Sequence, residues 1–133
     1  MESALLVDSS FFIELLQKGC DPGTELLRRV ELLDLATCGM VRVEVVRGIS
    51  APKLRARVED FMSVMVNVPT DNKLWMEATQ IAWDLGREGW TLPAADILIA
   101  ASAFRINAAV LTLDKHFDAI PGLKVYRSLD ALR

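Results

Sequence analysis

Apolar residues along this chain fall into short blocks with two kinds of spacing, and the blocks alternate. Ala4-Leu5-Leu6-Val7 is an unbroken apolar run ending at Asp8, the pattern of a strand buried on both faces. Ser9 or Ser10 is the expected cap of a helix over residues 11–17. Residues 19–23 read as a turn, and Thr24 as the cap of a second helix with Leu26, Leu27, Val30 and Leu33 on its apolar face. Leu35-Ala36-Thr37-Cys38 predicts a weak strand. Val41-Arg42-Val43-Glu44-Val45 alternates apolar and charged positions, which by local pattern is also a strand.

Helical spacing then dominates. Pro52 suits a helix start, and Leu54, Val58, Phe61, Met62 and Met65 follow at helical intervals. Residues 64–68 predict a short strand. Residues 71–86 predict a helix with Leu74, Ala78, Ile81, Ala82 and Leu85 on one stripe, followed by a loop to Trp90. Residues 93–104 form a helix apolar nearly all round, hence buried. Residues 109–113 and 124–126 predict two strands, and the last residues a short helix or a frayed end. Strands alternating with helices imply an α/β fold: a central parallel sheet of four to five strands with helices on both faces. Ligands in such folds sit at the carboxyl ends of the strands, which is where Asp8 and Asp114 stand.

Composition adds limits. A length of 133 residues without repeats or linkers fits one domain spanning residues 1–133. With 52% hydrophobic and 25% charged residues, a core can form. No apolar stretch reaches the roughly 18 residues of a membrane span. Met1-Glu2-Ser3 lacks the basic start of a signal peptide, so a cytoplasmic protein is expected. Cys20 and Cys38 form no C-x-x-C pair and are expected as small core residues. The net charge of −3 argues against a simple basic nucleic-acid binder. Setting aside Asp8, Glu44, Asp96 and Asp114 leaves 14 acidic against 15 basic residues.

Those four acids are the candidate chemistry. Asp96 is the only charge in a helix otherwise built to be buried, and an unpaired carboxylate there is costly unless a cation is near. Each acid alone has a plain structural reading: Asp8 as a cap, Asp96 as a first-turn acid, Asp114 as a turn residue, Glu44 as a partner for Arg42 or Arg47. Together they suggest a cage of hard oxygen ligands, suited to Mg²⁺ or Mn²⁺ and not to zinc. Two such cations are a standard arrangement for in-line phosphodiester cleavage. Other chemistries lack their residues. There is no phosphate-binding glycine loop and no nucleophile elbow. His116, the sole histidine, is expected as a surface or phosphate-contacting residue.

The stretch Leu92-Pro93-Ala94-Ala95-Asp96-Ile97-Leu98-Ile99-Ala100-Ala101-Ser102-Ala103 resembles the PIN-domain helix that carries the third acid. Leu111-Thr112-Leu113-Asp114-Lys115-His116-Phe117-Asp118 resembles the family's T-x-D-x-x-F segment with the fourth. Val7-Asp8-Ser9-Ser10 resembles its opening strand, and Val43-Glu44-Val45-Val46-Arg47-Gly48 its E-x-x-x-G helix. The resemblance therefore reads residues 41–48 as helix, against their alternation. It is nearest to the VapC-type toxins of toxin–antitoxin pairs. What it implies is an endoribonuclease dependent on Mg²⁺ or Mn²⁺, working as a homodimer with a cognate antitoxin that blocks the site. It also implies that Ser10 and Thr112 support the carboxylates, with Asp118 as a further acid near the site or a turn residue. Arg42 and Arg47 are candidate contacts for RNA phosphates.

Two rivals remain. A DNA-directed nuclease shares the acidic cage, since the cage alone does not distinguish sugars. A non-catalytic α/β protein-interaction module needs no cation. Met76 and Trp83, seven residues apart and opposite the core stripe of their helix, suggest an interface or a second layer of packing.

Overall fold

The computed structural model describes residues 4–132; Met1-Glu2-Ser3, read above for the absence of a leader, and Arg133 lie outside them. Five parallel strands, β1 (Leu5–Val7), β2 (Leu35–Cys38), β3 (Val66–Val68), β4 (Ala109–Leu111) and β5 (Val125–Tyr126), form one sheet in the order β3-β2-β1-β4-β5. Six α-helices connect them: α1 (Ser9–Gln17), α2 (Pro22–Leu27), α3 (Gly39–Val46), α4 (Pro52–Val64), α5 (Asn72–Arg87) and α6 (Ala94–Arg105). Parallel crossovers are right-handed. The run β1-β2-β3 therefore lays α1–α4 on one face, and the return from β3 to β4 lays α5 and α6 on the other. α5 packs chiefly on α6, while α3 touches α1, α4 and α6. Among the described residues no helix is long and apolar enough to cross a membrane.

The chain reverses direction in the sheet between β1 and β4. Ligand crevices in open parallel sheets form at such a point, outside the carboxyl ends of the two strands. Val7 pairs with Leu111, and the Asp8 amide donates to the Leu111 carbonyl at 2.9 Å. That bond extends the ladder one residue and pins Asp8 at the crevice.

Several local expectations are corrected. Asp8, not Ser9 or Ser10, caps α1, and the helix starts at Ser9. Asp21, not Thr24, caps α2: its carboxylate accepts from the Thr24 amide at 3.0 Å, with Pro22 in the first helical position. α2 then stops at Leu27, and Leu33 is 85% exposed instead of lying on an apolar face. The chain must reach the sheet by Leu35, which pairs with Leu5, and a 3₁₀ turn at Leu32–Asp34 delivers it.

Residues 41–45 are helical, as the resemblance implied and the local alternation did not. α3 buries Val41 and Val45, four apart, and leaves Val43 60% exposed. A strand would have put all three on one face. The neighbours α1, α4 and α6 supply packing for a helical stripe, and β2 has already ended at Cys38. Cys38 is fully buried, and Cys20 is only half-buried; both are free thiols.

Candidate metal centre

α6 carries Asp96 in its first turn, and eight of its residues, Asp96 and Ile97 to Ala103, are buried. Two acids of the site are themselves almost wholly enclosed: Asp8 is 3% exposed and Asp96 8%.

Asp8 is held by three donors on one oxygen. Its Oδ2 accepts from Ser10 Oγ at 2.7 Å, Thr112 Oγ1 at 2.8 Å and the Ser10 amide at 3.4 Å. Each hydroxyl has a single proton, already given to Asp8. The 3.2 Å approach of Ser10 Oγ to Thr112 Oγ1 is therefore a contact and not a second donation. Both hydroxyls also accept: Ser10 Oγ from the Leu113 amide at 3.0 Å, and Thr112 Oγ1 from the Asp114 amide at 2.9 Å. The two side chains thus tie the end of β1 to the segment that presents Asp114. With Oδ2 saturated, Asp8 Oδ1 takes no hydrogen bond from the described residues.

Asp114 caps a 3₁₀ turn over Lys115–Ala119, accepting from the His116 amide at 2.9 Å. The turn swings the His116 ring back over the acids. His116 Nδ1 lies 2.8 Å from Asp96 Oδ2 and 3.0 Å from Asp114 Oδ1. His116 is at the surface, as expected, but its ring also faces two carboxylates, which the sequence did not foretell. The only sequence signal was its place two residues after Asp114, inside the turn that Asp114 caps. Asp96, Asp114 and His116 each offer a donor atom within 4.8 Å of the other two.

The electrostatics follow from burial. Desolvation pushes the Asp96 carboxyl up, the hydrogen bond from His116 draws it back, and the charges of Asp114 and Asp8 push it further up. The hydrogen bond to Asp96 in turn holds the His116 imidazole above its ordinary value, and Asp114 adds to it.

Glu44, on α3, and Asp8 both lie outside the close group of Asp96, Asp114 and His116, and Glu44 is tied to the site through Ser9. Its Oε1 accepts from Ser9 Oγ at 2.8 Å, which links it to the residue after Asp8. By sequence Ser9 was singled out only as a candidate helix cap, and its bond to Glu44 was not foreseen. Neither Arg42 nor Arg47 pairs with Glu44 among the described residues; Arg42 is half-buried and Arg47 exposed. Asp118 stands apart from the cluster, in an ion pair with Arg127.

The chain is 30% identical over 129 residues to "Ribonuclease VapC1" of Methanocaldococcus jannaschii, covering 94% of this chain and 88% of that one. Among solved structures, the DNA-bound VapBC of Salmonella typhimurium superposes with a TM-score of 0.78 at 21% identity, covering 92% of this chain and 96% of that one. FitAcB of Neisseria gonorrhoeae gives 0.76 at 21%, covering 96% and 99%. VapC20 of Mycobacterium tuberculosis, described as a sarcin-ricin loop cleaving toxin, gives 0.68 at 17%, covering 89% and 95%. At these identities the solved structures speak for the fold. The PIN domain profile matches residues 5–123, and with a ribonuclease relative along nearly the whole chain, this protein belongs to the PIN domain family.

Proposed function

We propose that this chain is a metal-dependent endoribonuclease, the toxin of a VapBC-type toxin–antitoxin pair, whose Asp8, Glu44, Asp96 and Asp114 hold Mg²⁺ or Mn²⁺. The observation that carries the reading is the crowding of Asp8 and Asp96, both buried, with Asp114 at the strand switch point, where His116 is the only basic side chain bound to them among the described residues. Carboxylates so placed repel one another, and hard divalent cations suit their oxygens. The donor set fits: Asp8 keeps one oxygen free of hydrogen bonds while the other is saturated.

A bound divalent cation supplies a more acidic water and offsets charge on the leaving oxygen of a phosphodiester. The chain's own residues prepare that chemistry. Ser10 and Thr112 fix the rotamer of Asp8 so that its free oxygen is presented without reorganisation. Thr112 holds the Asp114 backbone, and Ser9 steadies Glu44. Arg42 and Arg47, on or beside the helix of Glu44, meet the RNA phosphates and steer the backbone toward the acids.

Partners follow from the same reading. The solved relatives include VapBC assemblies and a toxin–antitoxin complex from Klebsiella pneumoniae, and a cognate antitoxin is the expected regulator here. The chain pairs with a second copy through the outer face of α5, where Met76 is 72% and Trp83 62% exposed. Its two free thiols suit the reducing cytoplasm, where its RNA lies.

The test is cleavage of total RNA by partner-free protein and by Asp96→Asn, with Mg²⁺, Mn²⁺ or EDTA, and with DNA as a competing substrate. Cleavage of RNA that EDTA and the substitution both abolish is the expected result. Preferential cutting of DNA would move the reading to the DNA-directed nuclease. No cleavage and no Mn²⁺ binding by calorimetry would leave a non-catalytic interaction module.

A further inference from the structure

We propose that His116 is itself a metal ligand, contributing Nδ1 alongside Asp96 and Asp114, and that this nitrogen biases the site toward Mn²⁺ over Mg²⁺. The inference deepens the metal-dependent reading above and rests on it, but it concerns a residue outside the four acids.

Three observations carry it. The first is the placing of the ring: Nδ1 stands 2.8 Å from Asp96 Oδ2 and 3.0 Å from Asp114 Oδ1. Adjacent donors around an octahedral ion with bonds of about 2.1 Å lie about 3 Å apart, so these atoms already sit at ligand-to-ligand spacing. The second is that the ring is held there by its neighbours. The turn capped by Asp114 fixes the His116 backbone, and Phe117, the next residue, is fully buried and anchors that turn in the core. The imidazole is therefore delivered to the acids by a rigid segment. The third is the unfilled capacity of a neighbouring acid. Asp8 is buried and its Oδ1 takes no hydrogen bond from the described residues, while its charge is felt at Asp96. A cation between Asp96, Asp114 and His116 gives that oxygen something to face.

The consequence is selectivity. An all-carboxylate cage suits Mg²⁺ and Mn²⁺ alike and discriminates little between them. Imidazole is a borderline donor that first-row transition ions accept readily and Mg²⁺ does not. Exchanging one oxygen for Nδ1 tilts the site toward Mn²⁺.

The test exploits the fact that His116 is the only histidine in the chain. Untagged protein loaded with Mn²⁺ alone is examined by pulsed electron paramagnetic resonance for ¹⁴N coupling of a coordinated imidazole, which can come from no other side chain. The expected result is imidazole coupling in the wild type and none in His116→Gln. The Mn²⁺ affinity, measured by calorimetry, should also fall at least about tenfold in the variant, the low end of what loss of even an outer partner does to a metal site, and the Mg²⁺ affinity by less. The side chain is half-exposed, and a circular dichroism melt checks that the variant folds. Mn²⁺ bound by the wild type without imidazole coupling overturns this inference and leaves the acidic nuclease standing. No Mn²⁺ binding by a folded wild type overturns both.

Discussion

Thr112 Oγ1 donates to Asp8 Oδ2 at 2.8 Å across 104 residues of sequence, and the same hydroxyl accepts from the Asp114 amide. One side chain thus positions two of the four acids. Thr112→Val keeps the shape and removes both bonds. Hydrogen bonds to a charged group contribute about 1.5–3 kcal/mol, so urea unfolding should show a loss in that range. Ser10→Ala should lose less, because the two bonds of its hydroxyl are part-buried and exposed, whereas that of Thr112 to Asp8 is buried. The double variant should be non-additive, since both hydroxyls serve one oxygen. Strict additivity in the cycle would show that the two hydroxyls act independently.

Asp96 links stability to pH and to metal. Burial, followed by the charges of Asp114 and Asp8, raises its folded pKa above the unfolded value, against the pull of His116. The folded state then binds the Asp96 proton more tightly than the unfolded chain does. Stability from this group is present below the ordinary carboxylate range and is lost as pH rises toward the raised folded value. Melts in EDTA should show that loss in the wild type and a flatter profile in Asp96→Asn. Mn²⁺ should restore the wild type and not the variant. RNA cleavage by the variant should fall about a hundredfold or more, since a polarising cation contributes several kcal/mol. An Asp96→Asn protein as pH-dependent as the wild type would assign the effect to another group.

Thr37 lies fully buried in β2, and its Oγ1 has no hydrogen-bond partner among the described residues. A buried hydroxyl left unpaired costs about 1–3 kcal/mol. Thr37→Val replaces it with a methyl of similar size and should raise the urea midpoint without changing the slope. A destabilised Thr37→Val would mean that the hydroxyl finds a partner in solution, such as a buried water.

The outer face of α5 carries Met76 and Trp83, both exposed, opposite the stripe of Leu74, Ala78 and Leu85 that packs inward, with Trp75 exposed on its flank. Met76→Glu with Trp83→Glu should leave the melting temperature of the protomer nearly unchanged, since neither side chain is in the core. Sedimentation should shift from dimer to monomer. A double variant that remains dimeric places the seam elsewhere.

Much of this site was legible in the chain because its signals are local. An apolar block running into Asp8, and another running into Thr112 and Asp114, place those residues at strand ends in any parallel sheet. Asp96 stood out because a helix apolar nearly all round has no local use for a charge. The contacts of His116 were not legible for the opposite reason. Its meaning depends on a turn that brings its ring against Asp96, 20 residues away in sequence, and no periodicity records that contact. Asp118 lies four residues after Asp114, yet the same turn sends it to Arg127.

The sequence by itself determined the alternation of strand and helix, the burial of α6 and the placing of Asp8 and Asp114 at strand ends, because burial patterns and strand ends are written in neighbouring residues. Tertiary structure alone decided that residues 41–45 coil into a helix. Only there do Val41 and Val45 meet α1, α4 and α6 while Val43 turns outward. It also decided the strand order, and with it the reversal between β1 and β4 that brings Asp8, Thr112 and Asp114 to one crevice. Which strands become neighbours depends on burying both faces of the sheet at once, a condition on the whole chain that no single segment carries.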